Sequence, residues 1–176
     1  MLGRLFSLMA VGDSLRVAYW INMVSVTSSA FAVMFTFWSI VMLAQKASPK
    51  STNFSLIIAG FVGALTIAFA DSFWFSAVEA ETYAMATLFL IVCFWAILKW
   101  EKSKSETKGK FWLIFIFYAL GLSVGVHPMA LLVLPALATI IAFKERKFSW
   151  TILVFAIIIG GSGILFLNHV ILFGLP

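Results

Sequence analysis

The chain has 176 residues, of which 63% are hydrophobic, 16% aromatic and only 11% charged, with a mean hydropathy of +1.09. A soluble domain is nearer half apolar, so this composition excludes one and points to lipid as the solvent. The net charge of +5 does not point to nucleic acid, because the basic residues lie in short loops between apolar runs and no polar groove is available.

The first sixteen residues, MLGRLFSLMAVGDSLR, are too interrupted by polar positions for a span or a secretory signal. Leu2, Leu5, Phe6, Leu8 and Met9 would share one face of a helix lying on the membrane, so residues 1–16 are expected to form an interfacial amphipathic segment. Asp13-Ser14 then offers a helix start. Residues 17–176 are expected to form a transmembrane helical domain. A hydrocarbon core of roughly 30 Å needs about 20 apolar residues per crossing, and six apolar runs follow, at about 17–44, 54–70, 83–98, 111–126, 129–143 and 150–173. The helix of the third run is expected to begin as early as Ala77. The predicted fold is therefore all-α and polytopic, with about six transmembrane segments.

Small polar residues in the first run (Asn22, Ser25, Thr27, Ser28 and Ser29) can bond across helices. The lone cysteine, Cys93, can form no internal disulfide and reads as a small core residue. Gly121 and Gly125 have the G-x-x-x-G spacing of a close packing face, Pro135 is expected to kink the fifth run, and Gly160-Gly161-Ser162-Gly163 reads as packing.

Ten of the twelve basic residues fall in alternate loops: Lys46 and Lys50, then Lys99 to Lys110, then Lys144, Arg146 and Lys147. The positive-inside rule makes loops 45–53, 99–110 and 144–149 cytoplasmic, and segment 71–82 extracytoplasmic. Arg4 and Arg16 are the exceptions.

Segment 71–82 and Tyr83 (DSFWFSAVEAETY) concentrate three of the seven acids, Asp71, Glu79 and Glu81, in an aromatic setting of Phe73, Trp74, Phe75 and Tyr83. Ser76-Ala77-Val78-Glu79 fits a capping box, so one reading is structural: Glu79 starts the third helix and Glu81 favours its positive end. The other is a water-facing pocket at interface depth, suited to a phosphate-bearing lipid and a sugar. Carboxylates repel phosphate, so such a pocket would need a bridging Mg²⁺ or Mn²⁺ held by Glu79 and Glu81. In a regular helix those two acids diverge; both reach one ion only if the backbone there is irregular. His127, between Gly125 and Pro128, sits at a hinge and reads either as a helix-end contact or as a phosphate contact. No Ser-His-Asp order, cysteine metal pair, P-loop or dinucleotide fingerprint is present.

The stretch DSFWFSAVEAETYAMATLFLIVCFWAILKW from Asp71 to Trp100 resembles a bacterial multi-pass membrane family long carried as a domain of unknown function. So do GLSVGVHPMALLVLPAL, from Gly121 to Leu137, and the opening MLGRLFSL. That family is similar to the eukaryotic transmembrane protein O-mannosyltransferases of the GT-C glycosyltransferase superfamily. The resemblance implies transfer of a sugar, mannose first, from a polyprenyl-phosphate donor to a protein acceptor on the outer face of a bacterial plasma membrane. It matches Glu79 and Glu81 to the family's second-loop acids, as assisting catalytic or metal-binding residues, and His127 to its glycine-histidine turn. Asp71, Trp74, Tyr83 and His127 would then contact substrate. The family also carries an acidic residue in a first loop upstream of the M-L-G-R-L-F stretch, and continues beyond this sequence. The resemblance thus implies an internal fragment of a larger enzyme with a partial GT-C-like membrane domain, inactive alone and missing the main base. A transporter or flippase fragment, or a non-catalytic membrane scaffold, are the alternatives; acids at the rim and no charged mid-span favour the enzyme.

Overall fold

The computed structural model describes residues 2–10, 13–144 and 149–173, and every regular element among them is helical. Basic residues Arg146 and Lys147 of the last predicted loop lie outside the described residues. The chain divides into two units, Met1–Val92 and Cys93–Pro176, each described by itself.

In the first unit, α1 (Leu2–Ser7) and a 3-10 turn (Leu8–Ala10) lead to α2 (Ser14–Ala47). Leu5, Leu8 and Met9 of the predicted face are exposed and Phe6 is half-buried, while Ala10 is buried; the Leu2 side chain lies outside the described residues. Arg16 Nε pairs with Asp13 Oδ2 at 3.1 Å beside the predicted helix start. The 34 residues of α2 reach about 50 Å at the usual helical rise, more than a hydrocarbon core needs. Ser25, Ser28, Ser29, Thr36 and Ser39 of α2 are all buried. Thr36 and Ser39 return their hydroxyls to Ala32 O and Phe35 O of the same helix, each at 2.8 Å, which is how a hydroxyl is satisfied without a partner helix.

Thr52 starts α3 (Asn53–Ala68) by accepting the Ser55 amide at 3.2 Å. Leu56, Gly60 and Ala64, one per turn, make the buried stripe of α3, while Phe54, Phe61, Val62 and Leu65 are exposed, an arrangement that puts the large side chains toward lipid. Gly60 and Gly63 permit close approach to α2: a Cβ on Gly60 would lie 2.6 Å from Val41 Cγ2 and 2.8 Å from the Phe37 ring, and one on Gly63 2.4 Å from Ile40 Cδ1. These are ends of side chains and can move, so Gly60→Ala is expected to cost about 1 kcal/mol, read as a lowered unfolding temperature in detergent. After α3 the chain bends by 66° into α4 (Asp71–Val78).

The unit boundary falls within α5 (Tyr83–Lys102). The second unit continues with α6 (Glu106–Val124), a 3-10 helix (Pro128–Val133), α7 (Leu134–Phe143) and α8 (Trp150–Phe173). Trp95 of α5 meets Trp112 of α6 edge-on at 5.4 Å. Lys144, just past α7, lies over the Trp100 ring at 4.0 Å and donates to Trp100 O at 3.3 Å, which ties the end of α7 to that of α5. Cys93 is fully buried, as a small core residue should be.

The six apolar runs are thus all helical, and the all-α class holds. Among the described residues three helices are long and apolar enough to cross a membrane, Arg16–Ala47, Tyr83–Lys102 and Glu106–Val124, or four if the bent pair Asn53–Ala68 with Asp71–Val78 is one span; the apolar stretches Leu131–Phe143 and Trp150–Phe166 are shorter.

Three local expectations are corrected. Pro135 does not kink a continuous helix: it occupies the first turn of α7, where its missing N–H costs nothing, and a 3-10 helix precedes it. Gly121 and Gly125 are not a packing face, since a Cβ at Gly121 meets nothing within 4 Å and one at Gly125 only the neighbouring Leu122 carbonyl at 3.5 Å. The third helix does not begin near Ala77; α4 ends at Val78 and α5 starts at Tyr83. Of the predicted glycine cluster, Gly160 packs against the backbone of Pro135, and a Cβ on Gly163 would lie 3.9 Å from Leu134 Cδ1.

Candidate functional site

Asp71 opens α4 without capping it: the N-cap position is Ala70, which has no side-chain bond to give, so the carboxylate faces the positive end of an eight-residue helix. Trp74 stacks on Phe69 across the bend, rings 11° apart with centroids at 6.3 Å. Phe69, Trp74, Phe75 and Val78 are all exposed, an aromatic and apolar surface of the kind found at a membrane–water boundary.

Glu79 ends α4 as its C-cap, in extended backbone with φ −98° and ψ 140°. The expected capping box is therefore not formed. Ser76 lies inside α4 with its hydroxyl on Ser72 O at 3.0 Å, and the helix it was to start begins four residues after Glu79. From Glu79 to Thr82 the chain is bent and non-helical, with the Glu81 amide on Glu79 O at 2.8 Å. Thr82 O then accepts the Ala86 amide at 2.9 Å, the first bond of α5. So the irregular backbone that lets Glu79 and Glu81 escape the divergence of a regular helix is present. Both carboxylates are exposed, as are Asp71 and Tyr83.

Two side chains of α2 hold this turn. Asn22 Nδ2 donates to Val78 O at 2.5 Å, and Ser25 Oγ to Glu81 O at 3.3 Å. Of the five residues expected to bond across helices, Asn22 reaches the last residue of α4 and Ser25 the non-helical turn after it, whereas Thr27 bonds within α2, to Met23 O at 2.7 Å, and Ser29 Oγ has no partner among the described residues. That the target of Asn22 and Ser25 is the acidic turn has no local signal: each bond spans 56 residues of sequence.

His127 belongs to the second unit. Its amide bonds Ser123 O at 2.8 Å as α6 ends, and Pro128 opens the 3-10 helix directly after it, so the predicted hinge position is correct.

Among the described residues, no group of three His, Cys, Asp or Glu side chains gathers where an ion could be held by protein alone. The acidic turn offers two carboxylates, the number with which Mg²⁺ is often held when substrate phosphate and water complete its shell.

Comparison with known proteins agrees with the protein O-mannosyltransferase part of the resemblance read from the residues. The family model described as protein O-mannosyl-transferase TMEM260 N-terminal domain matches residues 1–151, from α1 to the start of α8, and so includes every residue of the candidate site. No curated protein and no solved structure matches the chain. With its long apolar helices, this makes the chain an integral membrane protein, and it belongs to the family of the protein O-mannosyl-transferase TMEM260 N-terminal domain.

Proposed function

We propose that this protein is part of a GT-C-type membrane glycosyltransferase that moves a sugar, mannose first, from a polyprenyl-phosphate donor to a protein hydroxyl on the extracytoplasmic face of a bacterial plasma membrane. The observation that carries the reading is an exposed, non-helical turn bearing Glu79 and Glu81 at the end of a bent helix pair, in a chain that belongs to a protein O-mannosyl-transferase family. In the transfer, the acceptor oxygen forms a bond to the anomeric carbon while the bond from that carbon to the phosphate oxygen breaks. Its electron pair leaves with the polyprenyl phosphate. The hydroxyl proton passes to a main carboxylate base elsewhere in the complete enzyme, and Glu79 and Glu81 assist by orienting the acceptor. A Mg²⁺ or Mn²⁺ held by the same two side chains would supply positive charge to the donor phosphate. Asp71 orients polar groups of the substrate, Trp74 and Tyr83 offer ring faces to the sugar, and His127 is assigned a phosphate contact.

The ten lysines and arginines in alternate loops support placing segment 71–82 outside. Deleting the gene in the host cell should remove O-linked hexose from serines and threonines of envelope proteins, read by mass spectrometry of their peptides. Unaltered glycopeptides would overturn the assignment.

A further inference from the structure

We infer that Asn22 and Ser25 of α2 are positioning residues for the transfer, because they hold by its backbone the turn that carries Glu79 and Glu81. Their spacing of three puts both on one face of α2. From that face Asn22 takes Val78 O, immediately before Glu79, and Ser25 takes the carbonyl of Glu81 itself. The two bonds bracket the non-helical residues. The four-residue turn has one internal amide bond, Glu81 to Glu79 O, and is tied to α4 by the Glu79 amide on Phe75 O at 3.2 Å; the two bonds from α2 are its side-chain restraints among the described residues.

Asn22 is an expensive choice for packing alone. Its Oδ1 is buried with no hydrogen-bond partner among the described residues, and a buried amide oxygen left so costs free energy that an apolar residue would not incur. Its amide also meets a need of α4, whose last carbonyls have no helical partner. A purely structural cap would alter stability and leave the reacting geometry alone. A positioning residue alters the rate at saturating substrate, since a small displacement of an assisting group acts on the transition state.

This inference rests on the carboxylate reading above, and two readouts separate them. Hydrogen exchange of residues 79–82 in the full-length protein in detergent reports on the clamp alone. Asn22→Ala and Ser25→Ala should each speed it by about tenfold, while Thr27→Val, whose hydroxyl bonds only within α2, should not. Transfer from a short polyprenyl-phosphate mannose to a serine-containing peptide reports on function. For Asn22→Ala, kcat should fall by about tenfold with KM held within about twofold. In the Glu79→Gln/Glu81→Gln background the same substitution should cause no further loss, because its effect passes through those carboxylates. Unchanged exchange overturns the clamp. Faster exchange with unchanged kcat, where the glutamate variants are impaired, overturns the positioning role and leaves the carboxylate reading standing. Unimpaired glutamate variants overturn the carboxylate reading, and the positioning role with it.

Discussion

Replacing Glu79 and Glu81 together with glutamine is expected to lower glycosyl transfer by about 100-fold, the low end of the range for acid–base groups, with the amount of folded protein unchanged. Both carboxylates are exposed on a turn, so neutral isosteres leave no buried charge or cavity. Their effect on stability should stay within about 0.5 kcal/mol. Loss of activity would then reflect lost chemistry. The single variants divide the roles: a loss that falls almost wholly on one residue marks the group that orients the acceptor, and a loss shared equally marks a paired ligand set. The measurement is occupancy of hexose on acceptor peptides, by mass spectrometry, with the variants expressed from the protein's own gene. Full occupancy in the double variant would remove both glutamates from the site.

The largest effect on folding is expected at Gly160. A Cβ there would lie 2.4 Å from Pro135 Cα, 2.7 Å from Pro135 N and 3.0 Å from Leu134 O. These are backbone atoms in the first turn of α7, and no rotamer change relieves them. Gly160→Ala must push α8 away from α7, at a cost of about 1–3 kcal/mol, and Gly160→Leu should exceed it. Gly161→Ala is the control, since a Cβ there meets nothing within 4 Å. Unfolding temperature in detergent should fall for the first and hold for the second; equal values would contradict the packing of these two helices.

The helices were legible because hydropathy marks them. Each of the six apolar runs coincides with helical structure, and lysine-rich segments mark alternate boundaries between them. Local punctuation was less reliable. Ser76 and Glu79 have capping-box spacing, yet α4 runs through the serine, and the residues that follow it are bonded by Asn22 and Ser25 from 56 positions away. No window of sequence contains that information. Glycine spacing misled for the same reason. Gly121 and Gly125 have the motif but meet no other helix among the described residues, while Gly60 and Gly63, one residue closer in spacing, meet Phe37, Val41 and Ile40 of α2. What makes a glycine a packing residue is the surface opposite it. Pro135 could be read as a kink or as a helix start, and only the preceding 3-10 helix decides. Of the candidate site, composition was readable and shape was not: scarce acids among aromatics mark Asp71–Tyr83, whereas neither the bend of 66° nor the extended backbone at Glu79 has a sequence signal.

The most direct measurement is transfer itself. Membranes from cells that make the full-length protein, and from cells lacking its gene, would be given polyprenyl-phosphate mannose labelled in the sugar, and label in protein would be counted. Label that appears only with the protein, and falls by about 100-fold with Glu79→Gln/Glu81→Gln, is the predicted result. Equal label in both membranes would contradict the assignment as a glycosyltransferase.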